Sequence, residues 1–297
     1  REIKIDGQVA NDDTNCFVIA EIGQNHQGNL ENAKELITLA KQSGVSAVKF
    51  QKRDNLNLFT KEMFDSPYTG PQSFGPTYGK HRMKLELSED DFKELSKFSK
   101  KQKITFFATP FDIKSAEFLL SLGVPAFKIA SLDLTNLSLL KTVAEFNLPT
   151  IISTGASTLD QVKRAYDSIV GINNKIAIMQ CTSEYPAKSI HINLNMITSY
   201  RKEFPDTVIG YSGHDNGTSI PISAFSLGAR IIEKHFTKDK TLKGTDHPFS
   251  LNPDEMKNLV KELHEVKLSL GDGKKTIYPE EQLSKFKMGK KLVASKN

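Results

Sequence analysis

From residue 16 onward the chain alternates between two patterns. Short runs nearly continuous in Val, Ile, Phe and Ala are followed by longer stretches with apolar residues three and four apart. The first pattern predicts strands covered on both faces, the second amphipathic helices. CFVIAEIG (16–23) predicts a strand and 29–43 a helix; AVKFQ (47–51) is the second strand. Residues 52–87, punctuated by Pro67, Gly70, Pro71, Gly75, Pro76 and Gly79, read as a long irregular loop before a helix at 88–102. Loops of that length in a compact domain are usually functional or disordered. The alternation then continues regularly, with strands at 104–110, 126–131, 150–155, 175–181, 207–212 and 230–236. Their partner helices fall at 112–122, 136–146, 158–169, 193–203, 217–227 and 253–269. Eight strand–helix units predict a (β/α)8 TIM barrel over an open doubly wound sheet.

Before the barrel, EIKIDGQV (2–9) sets Asp6-Gly7 between alternating runs, a hairpin signal that places a plug under the barrel. The predicted division is a hairpin at 1–15, a barrel at 16–270 and a polar linker at 271–297. That linker closes no further unit and reads as leading to a domain this chain lacks. The start at Arg1 without Met fits a trimmed N-terminus.

Composition narrows the function. A formal charge of +5 without a basic stripe or nucleic-acid motif argues against a nucleic-acid partner, though it would suit a phosphorylated substrate. No apolar run approaches the ~20 residues needed to span a membrane. Two cysteines make no disulfide framework; the apolar neighbours of Cys16 and Cys181 predict buried thiols and a reducing, cytoplasmic setting. A catalytic thiol at Cys181 is the sharper and less favoured reading.

In such a barrel the chemistry sits at the C-terminal ends of the strands. Those ends supply Glu21, Asn25 and His26; Lys49 and Gln51; Thr109 and Asp112; Lys128, Ser131 and Asp133; and Ser153 and Thr154. Later strands add Thr182, Ser183 and Tyr185; Ser212, His214 and Asp215; and Glu233, His235 and the loop residue Asp246. Alternation puts Lys49 with Gln51, and Glu233 with His235, on shared faces. A buried unpaired ammonium is costly, so Lys49 and Lys128 need a reason. Internal salt bridges to Glu21 and Glu233 are one, and a Schiff-base lysine in an apolar pocket is another. The third, a doubly anionic ligand held by two lysines and the hydroxyls of Ser131, Ser153, Ser183 and Ser212, gives both lysines a task and is preferred. His214 and His235 end adjacent strands and can converge on one divalent ion. With only two imidazoles the coordination sphere would stay open, which suits Mn²⁺, Mg²⁺ or Co²⁺ better than a structural zinc. His26 lies in a Gly-bounded loop and is a poor third ligand.

The segments AEIGQNHQG (20–28), VKFQK (48–52), FKIASLD (127–133), ISTG (152–155), QCTSEYP (180–186), IGYSGH (209–214), EKHFT (233–237) and GTDH (244–247) resemble the sialic acid synthases. The match runs in order over nearly the whole chain, and FKIASLD, SEYP and YSGH look closer to the branch that makes the 9-phosphate. The resemblance implies condensation of phosphoenolpyruvate with N-acetylmannosamine or its 6-phosphate. It assigns the divalent ion, manganese first, to His214 and His235, and phosphoenolpyruvate to Lys49, Lys128, Ser131, Ser153, Ser183 and Ser212. Glu21, Gln51, Asp133, Tyr185 and Asp246 would face the amino sugar, with Glu21 or Asp246 as general base. Asp133 stands where many members have Glu. The resemblance also implies a homodimer when the family's C-terminal antifreeze-like domain is present. The alternatives are a synthase for legionaminic or pseudaminic acid, a Schiff-base aldolase or lyase, and a non-catalytic phosphosugar-binding barrel. Lys80, His81 and Arg82 in the long loop are candidate contacts for a sugar 6-phosphate, against the plainer reading of a solvated basic loop.

Overall fold

In a computed structural model, which describes residues 1–290 and 292, eight parallel strands close into a barrel. Strands β1 (Glu2–Ile5) and β2 (Gln8–Asn11) precede the barrel strands β3 (Phe17–Gly23), β4 (Ala47–Lys52), β5 (Thr105–Pro110) and β6 (Phe127–Ile129). The barrel continues through β7 (Thr150–Ser153), β8 (Ile176–Cys181), β9 (Val208–Gly213) and β10 (Ile231–His235). β10 pairs with β3 to close it. Helices run in chain order as α1 (Leu30–Gln42), α2 (Asn55–Leu58), α3 (Lys61–Asp65), α4 (Tyr78–Leu85), α5 (Glu89–Gln102), α6 (Ile113–Ser121) and α7 (Leu137–Glu145). Then come α8 (Leu159–Val170), α9 (Ser189–Ile192), α10 (Asn195–Glu203), α11 (Ser219–Ser226), α12 (Pro253–Ser269) and α13 (Glu281–Met288). None of these helices is long and apolar enough to cross a membrane.

Local chemistry explains the boundaries. Capping boxes start three of the outer helices: Ser88 with Asp91 at α5, Thr158 with Gln161 at α8, and Asn252 with Glu255 at α12. Each satisfies amide groups that the first helical turn leaves free. Asp6 and Gly7 both take positive φ, the conformation a two-residue hairpin turn demands. The hairpin caps the bottom of the barrel: Gln8 donates to Ser46 O at 3.2 Å and to Thr105 Oγ1 at 3.0 Å, beside the starts of β4 and β5. Ile3, Ile5 and Ala10 are buried there.

Two expectations need correction, the irregular loop at 52–87 and the length of β6. Residues 52–87 hold α2, α3 and α4, and Pro67 and Thr77 form a bridge. These helices are one to two turns long, so they carry too little periodicity to read; they are held by the caps of Thr60 and Thr77 and by aromatic packing. Tyr68, Phe74 and Tyr78 surround the His81 ring at 4.5, 5.8 and 6.3 Å between centroids. The segment predicted as linker carries the exposed helix α13; its last residues, 291 and 293–297, lie outside the described residues. Strand β6 is also shorter than read, because Ser131–Asp133 turn into a 3₁₀ helix.

Candidate active site

Register brings the polar strand ends together. In the parallel ladder His235 lies opposite Glu21 and Glu21 opposite Lys49; two residues earlier, Glu233 lies opposite Ser212 and Ser212 opposite Cys181. Opposed residues in paired strands share a face, so these two rows stack inside the mouth of the barrel. They line a cavity of about 640 Å³, within the usual range for a small-molecule site. Of the residues singled out from the sequence, Glu21, Lys49, Gln51, Lys128, Ser131, Ser153, Tyr185, Ser212, His214, His235 and Asp246 all line it. Asp133 and Ser183 do not. Asp133 sits half-buried on the rim, bonded to Asn136 Nδ2 at 3.3 Å, and Ser183 lies one layer back.

The two lysines make the internal ion pairs that formed the first of the three readings. Lys49 Nζ is 2.5 Å from Glu21 Oε2 and 3.7 Å from Glu233 Oε1, and Lys128 Nζ is 3.6 Å from the same Glu233 oxygen. Each lysine also keeps a hydroxyl partner, Thr109 Oγ1 for Lys49 at 2.8 Å and Ser153 Oγ for Lys128 at 2.6 Å. The two Glu233 pairs are long, so neither lysine is saturated. Burial pulls Glu233 upward, but Lys128 and Lys49 outweigh it and hold the carboxyl down at about 2. Glu21 moves the other way: burial, helped by the Glu233 charge, raises it despite Lys49. Burial lowers Lys128, against the opposing pull of Glu233. One carboxylate is thus fixed as a counter-ion while the other is left easier to protonate, which separates their roles.

Behind the lysines is a bare patch of backbone. A Cβ on Gly155 would lie 2.3 Å from Ser183 Oγ, 2.9 Å from Ser131 Oγ and 3.0 Å from Ser183 N. Only glycine lets both hydroxyls close on that turn. Gly155 N donates to Ser131 Oγ at 2.9 Å, while the buried Ser183 Oγ has no hydrogen-bond partner. Two hydroxyls closing on one backbone turn, one of them buried without a partner, offer donors to an oxyanion.

Across the cavity the His214 and His235 rings are 5.4 Å apart between centroids, with Phe249 against both. His214 Nδ1 lies 2.7 Å from Thr182 O, so it carries the proton and leaves Nε2 with a free lone pair. His235 Nδ1 is buried without a hydrogen-bond partner, 3.7 Å from Asp246 Oδ2. Burial, with His214 and Lys49 adding, keeps His235 well below its ordinary value and hence neutral. Burial lowers His214, but the Cys181 and Thr182 contacts outweigh it and raise the ring above its ordinary value, so His235 alone is held neutral; only a neutral ring offers a lone pair to a cation. Among the described residues no group of three or more His, Cys, Asp or Glu side chains is arranged to hold a metal. His26 is elsewhere: it stacks on Phe50, and its Nδ1 accepts from Gly28 N at 3.0 Å. Cys181 is buried in the cavity wall with its Sγ 3.9 Å from His214 Nδ1, whereas Cys16 is half-buried at the start of β3.

The sequence left several contributors unassigned. Glu233, read from the sequence only as one possible salt-bridge partner, is the counter-ion shared by both lysines. Thr109 was visible only as a strand end. On the outer side of β10, Lys234 is fully buried and reaches Asp215 Oδ2 at 3.1 Å, while Tyr211 Oη donates to Asp215 Oδ1 at 2.5 Å. That network fixes the turn carrying His214. Of the three basic loop residues, Lys80 is exposed and His81 is packed inside the loop; Arg82 alone lines the cavity.

A model of the NeuB family matches residues 36–275. The chain is 42% identical over 279 residues to the N-acetylneuraminate-9-phosphate synthase of Homo sapiens, an alignment covering 94% of this chain and 78% of that protein. It is 41% identical over 268 residues to the N,N'-diacetyllegionaminic acid synthase of Legionella pneumophila, covering 88% and 74%. Among solved structures, the N-acetylneuraminic acid (sialic acid) synthetase of Leptospira borgpetersenii, crystallised with citrate, superposes with a TM-score of 0.84 at 31% identity, covering 98% of both chains.

Proposed function

We propose, for a chain that belongs to the NeuB family, the condensation of phosphoenolpyruvate with N-acetylmannosamine or its 6-phosphate, releasing sialic acid or its 9-phosphate and inorganic phosphate. It would be a C–C bond-forming transferase. The observation that carries this reading is the opposition, within one cavity, of Lys49 and Lys128 with the hydroxyls of Ser131, Ser153 and Ser212 to the paired rings of His214 and His235. A Schiff-base lysine is the weaker reading, since Lys49 and Lys128 both face carboxylates rather than an apolar pocket.

Lys49 and Lys128, with the hydroxyls of Ser131, Ser153, Ser183 and Ser212, hold the phosphate and carboxylate of phosphoenolpyruvate. The enolic C3 is a weak nucleophile, so the sugar aldehyde must be polarised. A divalent cation held by His214 and His235, manganese by preference and magnesium or cobalt as alternatives, would supply Lewis-acid chemistry at that end of the cavity. Attack by C3 leaves cationic character at C2, which water captures. Glu21, made more basic than a free carboxylate by burial, takes the proton of that water, and Asp246 beside His235 orients it. Collapse of the C2 adduct breaks the C–O bond to phosphate, and the lysines and serines stabilise the departing charge. Gln51 holds Glu21 in place, its Nε2 donating to Oε1 at 2.9 Å. Tyr185, stacked 4.2 Å from His214 between centroids, gives the sugar an apolar wall. Asp133 on the rim would meet the sugar only from outside the cavity's lining. We place the enzyme in the cytoplasm and expect it to work as a homodimer. The test is release of phosphate from phosphoenolpyruvate. The proposal requires dependence on both an N-acetylated mannosamine and a divalent ion; release independent of the sugar would reject it.

A further inference from the structure

At its outer rim the cavity ends in two guanidinium groups. Arg53 follows β4 by one residue and continues the inward-facing series Lys49, Gln51. Its side chain lies over the Phe111 ring at 3.6 Å, and Nη2 donates to Gln51 Oε1 at 2.6 Å. The residue is only 7% exposed, yet Nη1 is buried with no hydrogen-bond partner. Arg82, on α4, lines the same cavity and donates to Gln24 Oε1 at 2.6 Å and Tyr78 Oη at 3.0 Å. All of these acceptors are neutral. Among the described residues, none of the ion pairs formed within 4.0 Å involves Arg53 or Arg82. Burial, with Arg82 adding, pulls Arg53 down to about 10, against the opposing pull of Glu86 and Asp246, neither of which forms an ion pair with it. Two forked donors aimed at one space and short of an anion match the geometry of a phosphate.

Their place relative to the reacting end matters. A chain of contacts runs outward from Lys49 to Glu21 at 2.5 Å, to Gln51 at 2.9 Å and to Arg53 at 2.6 Å. Along an extended strand Arg53 lies four residues, roughly 13 Å between Cα atoms, beyond Lys49, which sets its guanidinium farther out along the barrel axis than the lysines. An open-chain aldose carries its aldehyde and its terminal phosphate at opposite ends. We propose that Arg53 and Arg82 form a second anion subsite that takes the terminal phosphate of a phosphorylated N-acetylated amino sugar and selects it over the unphosphorylated sugar. This rests on the synthase reading above and adds the residues that decide which sugar is used.

The experiment compares N-acetylmannosamine with its 6-phosphate in the wild-type chain, Arg82→Gln and Arg53→Gln. The wild type should favour the phosphorylated sugar by at least tenfold in kcat/KM. Each variant should lose about 10- to 100-fold more on the phosphorylated sugar than on the free one, mainly in KM. Equal losses on both sugars, or an unchanged preference in Arg82→Gln, would overturn the assignment. Arg82 lies on a partly exposed loop helix, so that variant serves if Arg53→Gln fails to fold. Calorimetric binding of the 6-phosphate to wild type and Arg82→Gln reads the subsite without turnover, and identical affinities also overturn it. If neither sugar supports phosphate release while the binding difference persists, the synthase reading fails and the subsite stands.

Discussion

Adding one methyl group at Gly155 separates a substrate cradle from simple packing. The new Cβ of Gly155→Ala would sit 2.3 Å from Ser183 Oγ, 2.9 Å from Ser131 Oγ and 3.0 Å from the Ser183 amide. The hydroxyls can rotate away, but the amide is backbone and must move with its turn. Overpacking of this kind costs ~1–3 kcal/mol of stability, read by urea denaturation. Rotation of the hydroxyls also withdraws donors from the bound anion. A hydrogen bond to a charged group is worth ~1.5–3 kcal/mol, so losing one raises KM for phosphoenolpyruvate about 10- to 100-fold. The assay is phosphate release against phosphoenolpyruvate concentration at saturating sugar, with KM for the sugar measured alongside and expected to move much less. The double variant Gly155→Ala, Ser183→Ala removes the 2.3 Å contact and should regain stability without regaining phosphoenolpyruvate affinity. If Gly155→Ala loses stability while KM for phosphoenolpyruvate stays within about twofold, the serines only pack the rim and the cradle argument is wrong.

Three further outcomes are expected. His214→Ala or His235→Ala should abolish turnover and weaken Mn²⁺ binding by calorimetry, as a chelator should reversibly do to the wild type; full metal-dependent activity in either variant would remove the metal assignment. Lys128→Ala should raise KM for phosphoenolpyruvate by about tenfold or more, because an ammonium–phosphate contact is charge-assisted; a loss confined to sugar affinity would contradict its role. Asp12 accepts both Arg201 guanidinium donors, at 2.8 and 3.0 Å, and its carboxyl is held below the ordinary value first by that bond. A depressed carboxyl stabilises the fold above its unfolded value and loses that contribution as pH falls through the folded one. Asp12→Asn should therefore lower Tm at pH 7, by an amount worth about 1 kcal/mol for a partly exposed network, and the difference should shrink as pH falls below the ordinary carboxylate range. A gap that persists in acid would show packing instead.

The barrel was legible because each of its strands is covered on both faces and so reads as an apolar run, with amphipathic helices between. Strand alternation then placed Lys49 with Gln51 and Glu233 with His235, and the structure keeps both pairs in the cavity. What alternation cannot supply is register. Salt bridges to Glu21 and Glu233 were one reading of the two lysines, but that a single Glu233, opposite Ser212, serves both depends on the closing of β10 on β3 and β9. Arg53 was passed over for another reason: it stands in a charged segment after a strand, where solvent exposure is the ordinary outcome, and only the Phe111 ring and the long loop bury it. His81 misled in the opposite direction, since a basic triplet in a loop conceals which member packs against Tyr68.

The central claim is that an anion cradle and a histidine pair join phosphoenolpyruvate carbon to a sugar aldehyde. The most direct measurement uses phosphoenolpyruvate labelled with ¹⁸O in its bridging C–O–P oxygen, with N-acetylmannosamine 6-phosphate and Mn²⁺, and follows both products by mass spectrometry. The account predicts that the label leaves with inorganic phosphate and that a keto acid three carbons longer than the sugar appears in equal amount. Label retained in pyruvate, with unlabelled phosphate and no lengthened sugar, would contradict it.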